Sequence, residues 1–223
     1  MGCRIQVRKR YLEELDKLNR TVVKMGEIAT SLINDSVISL ANKDAALADK
    51  VLKEAEKVDD YELRVEEMCV QLIARQQPMA DDLRAITSYM RIIGDFDRVS
   101  DLASNIAKIT KQTLDRPLVK PLIDIPRMSK ITQEMVKCAM DSLDQGKALD
   151  CVEHLSEKDN EVDALWYQIY RELISMMIEN PKIISDATNL LLVARYLERM
   201  ADHACNIGSR LIYMFTGERR KIQ

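Results

Sequence analysis

The sequence predicts an all-α protein of two tandem antiparallel three-helix bundles related by internal duplication. Three observations carry that expectation. Apolar residues recur with helical spacing over six long segments, and strand-like alternation is missing throughout. Only six Gly and five Pro interrupt 223 residues. The two halves repeat one another, as aligned below. The composition agrees: 47% hydrophobic, 31% charged and 4% aromatic residues describe an ordinary folded chain with enough material for a core.

Breaks at "NKDAA" (42–46), "RQQP" (75–78), "DRPLVKPLIDIP" (115–126), "QGKA" (145–148) and "ENP" (179–181) delimit the elements. They predict helices at 4–42, 45–76, 80–114, 127–145, 148–179 and 182–216. Asp44 is placed to cap the second helix, and Pro78 and Pro181 each stand just before a helix. Pro117, Pro121 and Pro126 cannot lie within a helix interior, so they divide the chain. The expected domains are 1–115 and 126–223, with 116–125 as linker.

The repeat is specific. Residues 97–107 and 198–208 share Arg98/Arg199, Asp101/Asp202, Ala103/Ala204, Asn105/Asn206 and Ile106/Ile207. Earlier in each half, Val58, Asp59, Val65, Cys69, Leu72 and Ile73 meet Val162, Asp163, Ile169, Leu173, Met176 and Met177. The offset shifts from 101 to 104 between these blocks, and the change falls in the intervening loop, where insertions are tolerated. In the last helix Leu190, Ala194, Leu197, Ala201, Ala204, Gly208 and Leu211 form a heptad seam whose small members admit a close neighbour. In the fifth, the seam runs Leu155, Asp159, Val162, Trp166, Ile169, Leu173, Met176.

Several classes are disfavoured. A net charge of −3 argues against a nucleic-acid binder. The basic cluster Arg4, Arg8, Lys9 and Arg10 reads as a solvated helix start. No apolar run approaches a membrane span or a signal peptide, and "MGCRIQ" has Gln6 where myristoylation needs Ser or Thr, so a cytoplasmic protein is expected. Five scattered cysteines without C-x-x-C suggest reduced thiols. Cys69 falls on an apolar stripe. Cys205 and His203 are two apart and do not share a helix face, so a nucleophilic thiol is not expected.

One feature conflicts with simple packing. Glu198 and Asp202 stand four apart on one helix, as do Asp97 and Asp101 in the first half. Like charges at that spacing repel by about 0.2–0.5 kcal/mol. Asp159 interrupts an apolar seam, and Asp163 lies beside it. A single acidic pair is ordinarily a solvated face neutralised by arginines such as Arg98, Arg195 and Arg199. Repetition across two halves needs more, because packing a seam does not require carboxylates beside it. The candidate metal ligands are therefore Asp59, Asp97 and Asp101 in the first half, and Asp159, Asp163, Glu198 and Asp202 in the second. Oxygen donors favour Mg, Mn, Ca or iron, and with only His154 and His203 in the chain a His-rich zinc site is disfavoured. His203 adjoins Asp202 and is a weaker candidate.

"RQQPMADDLRAITSYMRIIGDFDRVSD" and "ARYLERMADHACNIG" resemble the two characteristic segments of the PhoU family. The resemblance spans essentially the whole chain. It implies a cytoplasmic, generally dimeric, non-enzymatic regulator, in contact with the inner membrane only through partners. Such a regulator couples a phosphate ABC transporter, through its ATPase subunit, to a sensor histidine kinase and represses phosphate-starvation genes. It also implies metal, in some members multinuclear iron, on paired acid-x-x-x-Asp motifs; the resemblance leaves Zn open beside iron, Mg, Mn and Ca. The second half carries both motifs. In the first half Ala55 stands in place of an acid, with Glu56 and Glu62 expected on other faces, so weaker binding is expected there. Two alternatives stay open: a carboxylate-bridged metal enzyme, disfavoured by the lack of a matched E-x-x-H pair and of a P-loop, and a metal-free helical docking module.

Overall fold

The computed structural model describes residues 2–145 and 149–222. All described secondary structure is helical: α1 (Gly2–Asn42), α2 (Ala45–Gln76), α3 (Ala80–Gln112), α4 (Asp124–Gln145), α5 (Asp150–Glu153), α6 (Leu155–Glu179) and α7 (Ile184–Thr216). A 3-10 turn at Pro181–Ile183 precedes α7. At 41 residues, α1 is about 60 Å long. The side chains of Arg4 and Arg8 lie outside the described set; Lys9 and Arg10 are exposed.

The stops behave as their chemistry requires. Asp44 caps α2 by accepting a hydrogen bond from the Leu47 amide at 2.9 Å. Lys43 and Gln77 take positive φ (55° and 45°) and reverse the chain in turns too short for anything but antiparallel neighbours. Two boundaries differ from the sequence expectation. Pro126 sits in the first turn of α4, where a missing amide proton removes no helical bond. The predicted helix at 148–179 is two helices, broken at His154 (φ −94°, ψ 3°).

The cysteines also need a correction. Cys138 on α4 and Cys151 on α5 form a disulfide, with Cα atoms 5.9 Å apart, while Cys69 and Cys205 are free and buried. Sequence spacing alone could not show this, because the bond depends on α5 turning back onto α4. Opening the 13-residue loop with Cys138→Ser is expected to lower stability by about 2 kcal/mol, read as a shift in the urea midpoint.

Equivalent helices of the two halves pack on each other. α1 lies against α4 and α3 against α7, and one continuous apolar core runs through both bundles. α2 packs on α1 and α3; α6 packs mainly on α4 and α7. Each half therefore presents a groove, α2/α3 or α6/α7, with one wall from α3 or α7 of the pair that joins the bundles. Phe96 is fully buried at that junction, and a Cβ on Gly26 of α1 would come within 2.7 Å of its Cζ and 2.8 Å of Met140 Sδ. Gly26→Leu is expected to cost about 1–2 kcal/mol in chemical denaturation by overfilling this contact.

The α7 seam is buried throughout from Leu190 to Leu211. In α6, Leu155, Val162, Ile169 and Leu173 are buried, with Trp166 and Met176 partly so.

A candidate metal centre in each half

Four carboxylates gather in the α6/α7 groove. Asp159 and Asp163 come from α6, and Glu198 and Asp202 from α7. Glu198 does not flank the core as its position one step past Leu197 suggests; it is buried, with 8% of its surface exposed. One oxygen, Oε1, pairs with Arg195 Nη1. The other, Oε2, is buried without any hydrogen-bond partner. Arg195 is held in place from behind, its guanidinium 5.5 Å above the Trp166 ring.

The carboxylates feel one another. Burial raises the Glu198 pKa to about 7; Arg195 opposes the rise, while Asp202, Asp163 and Asp159 add to it. Burial, then Asp163 and Asp202, raise Asp159 to about 6. Asp163 is raised by burial and by Asp202, against Arg195. The Cys205 thiol faces Asp159, and burial together with the acids pushes it up to about 12.

The α2/α3 groove repeats the arrangement with a substitution. Asp59 from α2 meets Asp97 and Asp101 from α3, and Asp97 rises to about 6 through burial, Asp101 and Asp59. Glu62 does not point elsewhere as expected. It faces the same cluster, raised by burial, by Asp97 and, among its other neighbours, by Asp59. Its Oε1 is 3.9 Å from where a Cβ on Gly94 would sit. In the repeat alignment Glu62 stands at the position of Trp166, and Gly94 at that of Arg195. The first half thus lacks the acid at Ala55 and the aromatic-backed arginine, and gains a fourth carboxylate at Glu62. Its counter-charge is Arg98, paired with Asp101 at 3.0 Å on the surface.

His203 lies elsewhere. Its Nδ1 is 2.9 Å from Asp95 Oδ1 on α3, a contact between the two halves and not part of the acid cluster. One helical step from Asp202 takes the ring towards α3. Among the described residues, no three Asp, Glu, His or Cys side chains are already closed into a metal cage. The groups share a groove and an electrostatic field.

The model of the PhoU domain matches this chain twice, over residues 22–110 and 125–211. The chain belongs to the PhoU family. Both matches coincide with the two helical halves, and both include an acid groove. Among curated PhoU relatives, the phosphate-specific transport system accessory protein PhoU homolog of Rhizobium meliloti is 37% identical over 209 residues, covering 92% of this chain and 86% of its own. The homolog of the same description from Aquifex aeolicus is 36% identical, with 94% of each chain covered. Among solved PhoU structures, that from Pseudomonas aeruginosa superposes with a TM-score of 0.89 at 30% identity, over 93% of this chain and all (100%) of that one. The phosphate transport system regulatory protein PhoU from Streptococcus pneumoniae gives 0.86 at 25% identity, over 95% and 99%.

Proposed function

We propose that this PhoU-family chain is a non-enzymatic regulatory accessory of a phosphate transport system, and that each acid groove holds a multivalent cation. The regulatory reading is supported by relatives that match over nearly their whole length and carry the accessory description. The observation that carries the metal reading is Glu198 Oε2, a buried carboxylate oxygen with no partner, facing three further carboxylates. Such an oxygen is costly unless protonated or bound to a cation. The donor set fits: Asp159, Asp163, Glu198 and Asp202 in the second half, and Asp59, Glu62, Asp97 and Asp101 in the first.

A bound cation supplies positive charge where the bare groove would repel phosphate. The chain's own residues do the rest. Arg195 neutralises one oxygen of Glu198 and leaves the other for the ion. Trp166 keeps Arg195 from swinging away. Anion contact at the grooves then depends on metal, so phosphate binding by isothermal titration should vanish on chelation. Binding undiminished by chelator would contradict this reading.

The transporter's ATPase subunit and a sensor histidine kinase are the proposed partners, met by a homodimer in the cytoplasm. Among the described residues no helix is long and apolar enough to cross a membrane. Partner docking has a surface available: Leu63 and Val70 on α2, and Tyr167, Tyr170 and Ile178 on α6, are exposed large apolar residues. Co-purification of the ATPase subunit from phosphate-replete cells, weakened in starved cells, is the expected result. Association indifferent to phosphate would count against the regulatory role.

A further inference from the structure

We propose that the Cys138–Cys151 disulfide is a reversible redox site, and that its reduction by a dithiol unseats the chain segment that follows α7. The inference is independent of the metal reading. Cys151 is exposed and Cys138 half-buried, so one sulfur of the bond is open to attack by a thiolate from solvent. Exposed disulfides are the labile and regulatory ones.

The bond fixes a small element on which the tail depends. Gly217 ends α7 in the left-handed region (φ 80°), and the chain turns back. Five residues on, Ile222 is buried again at 9% exposure. Its seat lies over Gly208 of α7, where a Cβ would come within 2.7 Å of Leu155 Cδ1, 2.8 Å of Ile222 Cδ1 and 3.0 Å of Val152 Cγ1. The missing side chain thus leaves room for three others. The Ile222 amide donates to Ser209 Oγ at 3.0 Å, and Arg220 pairs with Glu153 at 3.3 Å. Two of these contacts, Val152 and Glu153, come from α5.

On its own, α5 is a weak support. Its four residues form one turn, too short to persist without outside contacts. The Arg220–Glu153 pair is exposed on both sides and holds little. The disulfide is the covalent tie that keeps α5 on α4, and with it the wall against which Ile222 rests. Leu155, on that wall, is one helical turn before Asp159, so the tail is seated at the end of the α6/α7 groove.

The chemistry balances as thiol–disulfide exchange. A reductant thiolate attacks Cys151 Sγ, and the S–S electron pair leaves on Cys138 Sγ, which takes a proton from solvent. The reductant's second thiolate then displaces Cys151 Sγ, which is protonated in turn. The chain gains two electrons and two protons, and the reductant departs as its own disulfide. A disulfide oxidant reverses the steps.

The test uses the full chain, brought to the disulfide form with oxidised glutathione and then reduced with dithiothreitol under native conditions. Peptide mapping should find Cys138 and Cys151 alkylated by iodoacetamide only after reduction. Trypsin cleavage after Arg219, Arg220 and Lys221, read by intact mass, should then accelerate at least about tenfold, with helical circular dichroism unchanged. Cys138→Ser/Cys151→Ser should be cleaved at the fast rate with or without reductant; reduced wild type carries the test if that variant folds poorly. Ile222→Asp should be cleaved fast with the disulfide intact. A bond that dithiothreitol cannot open in the folded chain, or tail cleavage indifferent to reduction, would overturn the proposal. So would equal acceleration at Arg199 and Arg210 within α7, which reports general loosening, or loss of helix on reduction.

Discussion

Replacing Glu198 and Asp202 together by Ala is expected to weaken cation binding at the second groove by at least about 100-fold, leaving the first groove intact. The two residues supply the α7 half of the donor set, and Glu198 supplies its one buried unpartnered oxygen. Asp159 and Asp163 alone leave an ion bound from one helix. The variant should fold, because removing the carboxylates also removes their mutual repulsion. Arg195 then loses its partner but keeps its seat on Trp166. Titration with Co(II) followed by native mass spectrometry reads the loss. Unchanged occupancy would remove both acids from the site.

The second large effect is on stability. In the metal-free chain, Asp97 and Asp159 titrate near pH 6 and Glu198 near pH 7, against ordinary values of 3.8, 3.8 and 4.5. The folded state therefore binds protons that the unfolded chain has already released. Linkage then makes stability fall as pH rises through roughly 4 to 7, with the full penalty above that window. These groups are only half-buried apart from Glu198, so solvent screening reduces the penalty to about 3 kcal/mol summed over the three. Urea unfolding of metal-free protein should show a midpoint higher at pH 5 than at pH 8. Glu198→Gln should remove part of that difference and raise stability at pH 8, while also weakening metal binding. A flat profile would mean that the carboxylates do not strain one another.

Much of this was legible in residue order. The breaks at Asp44, Pro78 and the three-proline segment located the helices because each has a local cause: a side-chain cap, a missing amide proton, a fixed φ. The duplication located the acid grooves, since Asp97/Asp101 and Glu198/Asp202 recur at one offset. The break at His154 was not legible, because "VEHLSEKD" contains neither Gly nor Pro and keeps its helical periodicity. Neither was the Cys138–Cys151 bond, which depends on α5 packing back onto α4. Glu62 had a signal of its own: it lies three residues after Asp59, a spacing that shares a helix face. What periodicity could not supply was Gly94 on the facing helix, which leaves the room that Glu62 occupies. The burial of Glu198 likewise depends on Arg195 and Trp166, residues from two helices that meet only in the folded protein.

The decisive measurement is the metal content of protein purified without added metal, paired with its thermal midpoint at pH 8 before and after chelation. Multivalent cation bound to wild type, a fall in the midpoint on chelation, and loss of both in Asp97→Asn/Asp101→Asn/Glu198→Gln/Asp202→Asn are the expected results. Wild type that carries no such ion, and melts identically with chelator and with added metal, would contradict the claim that these grooves are built around a cation.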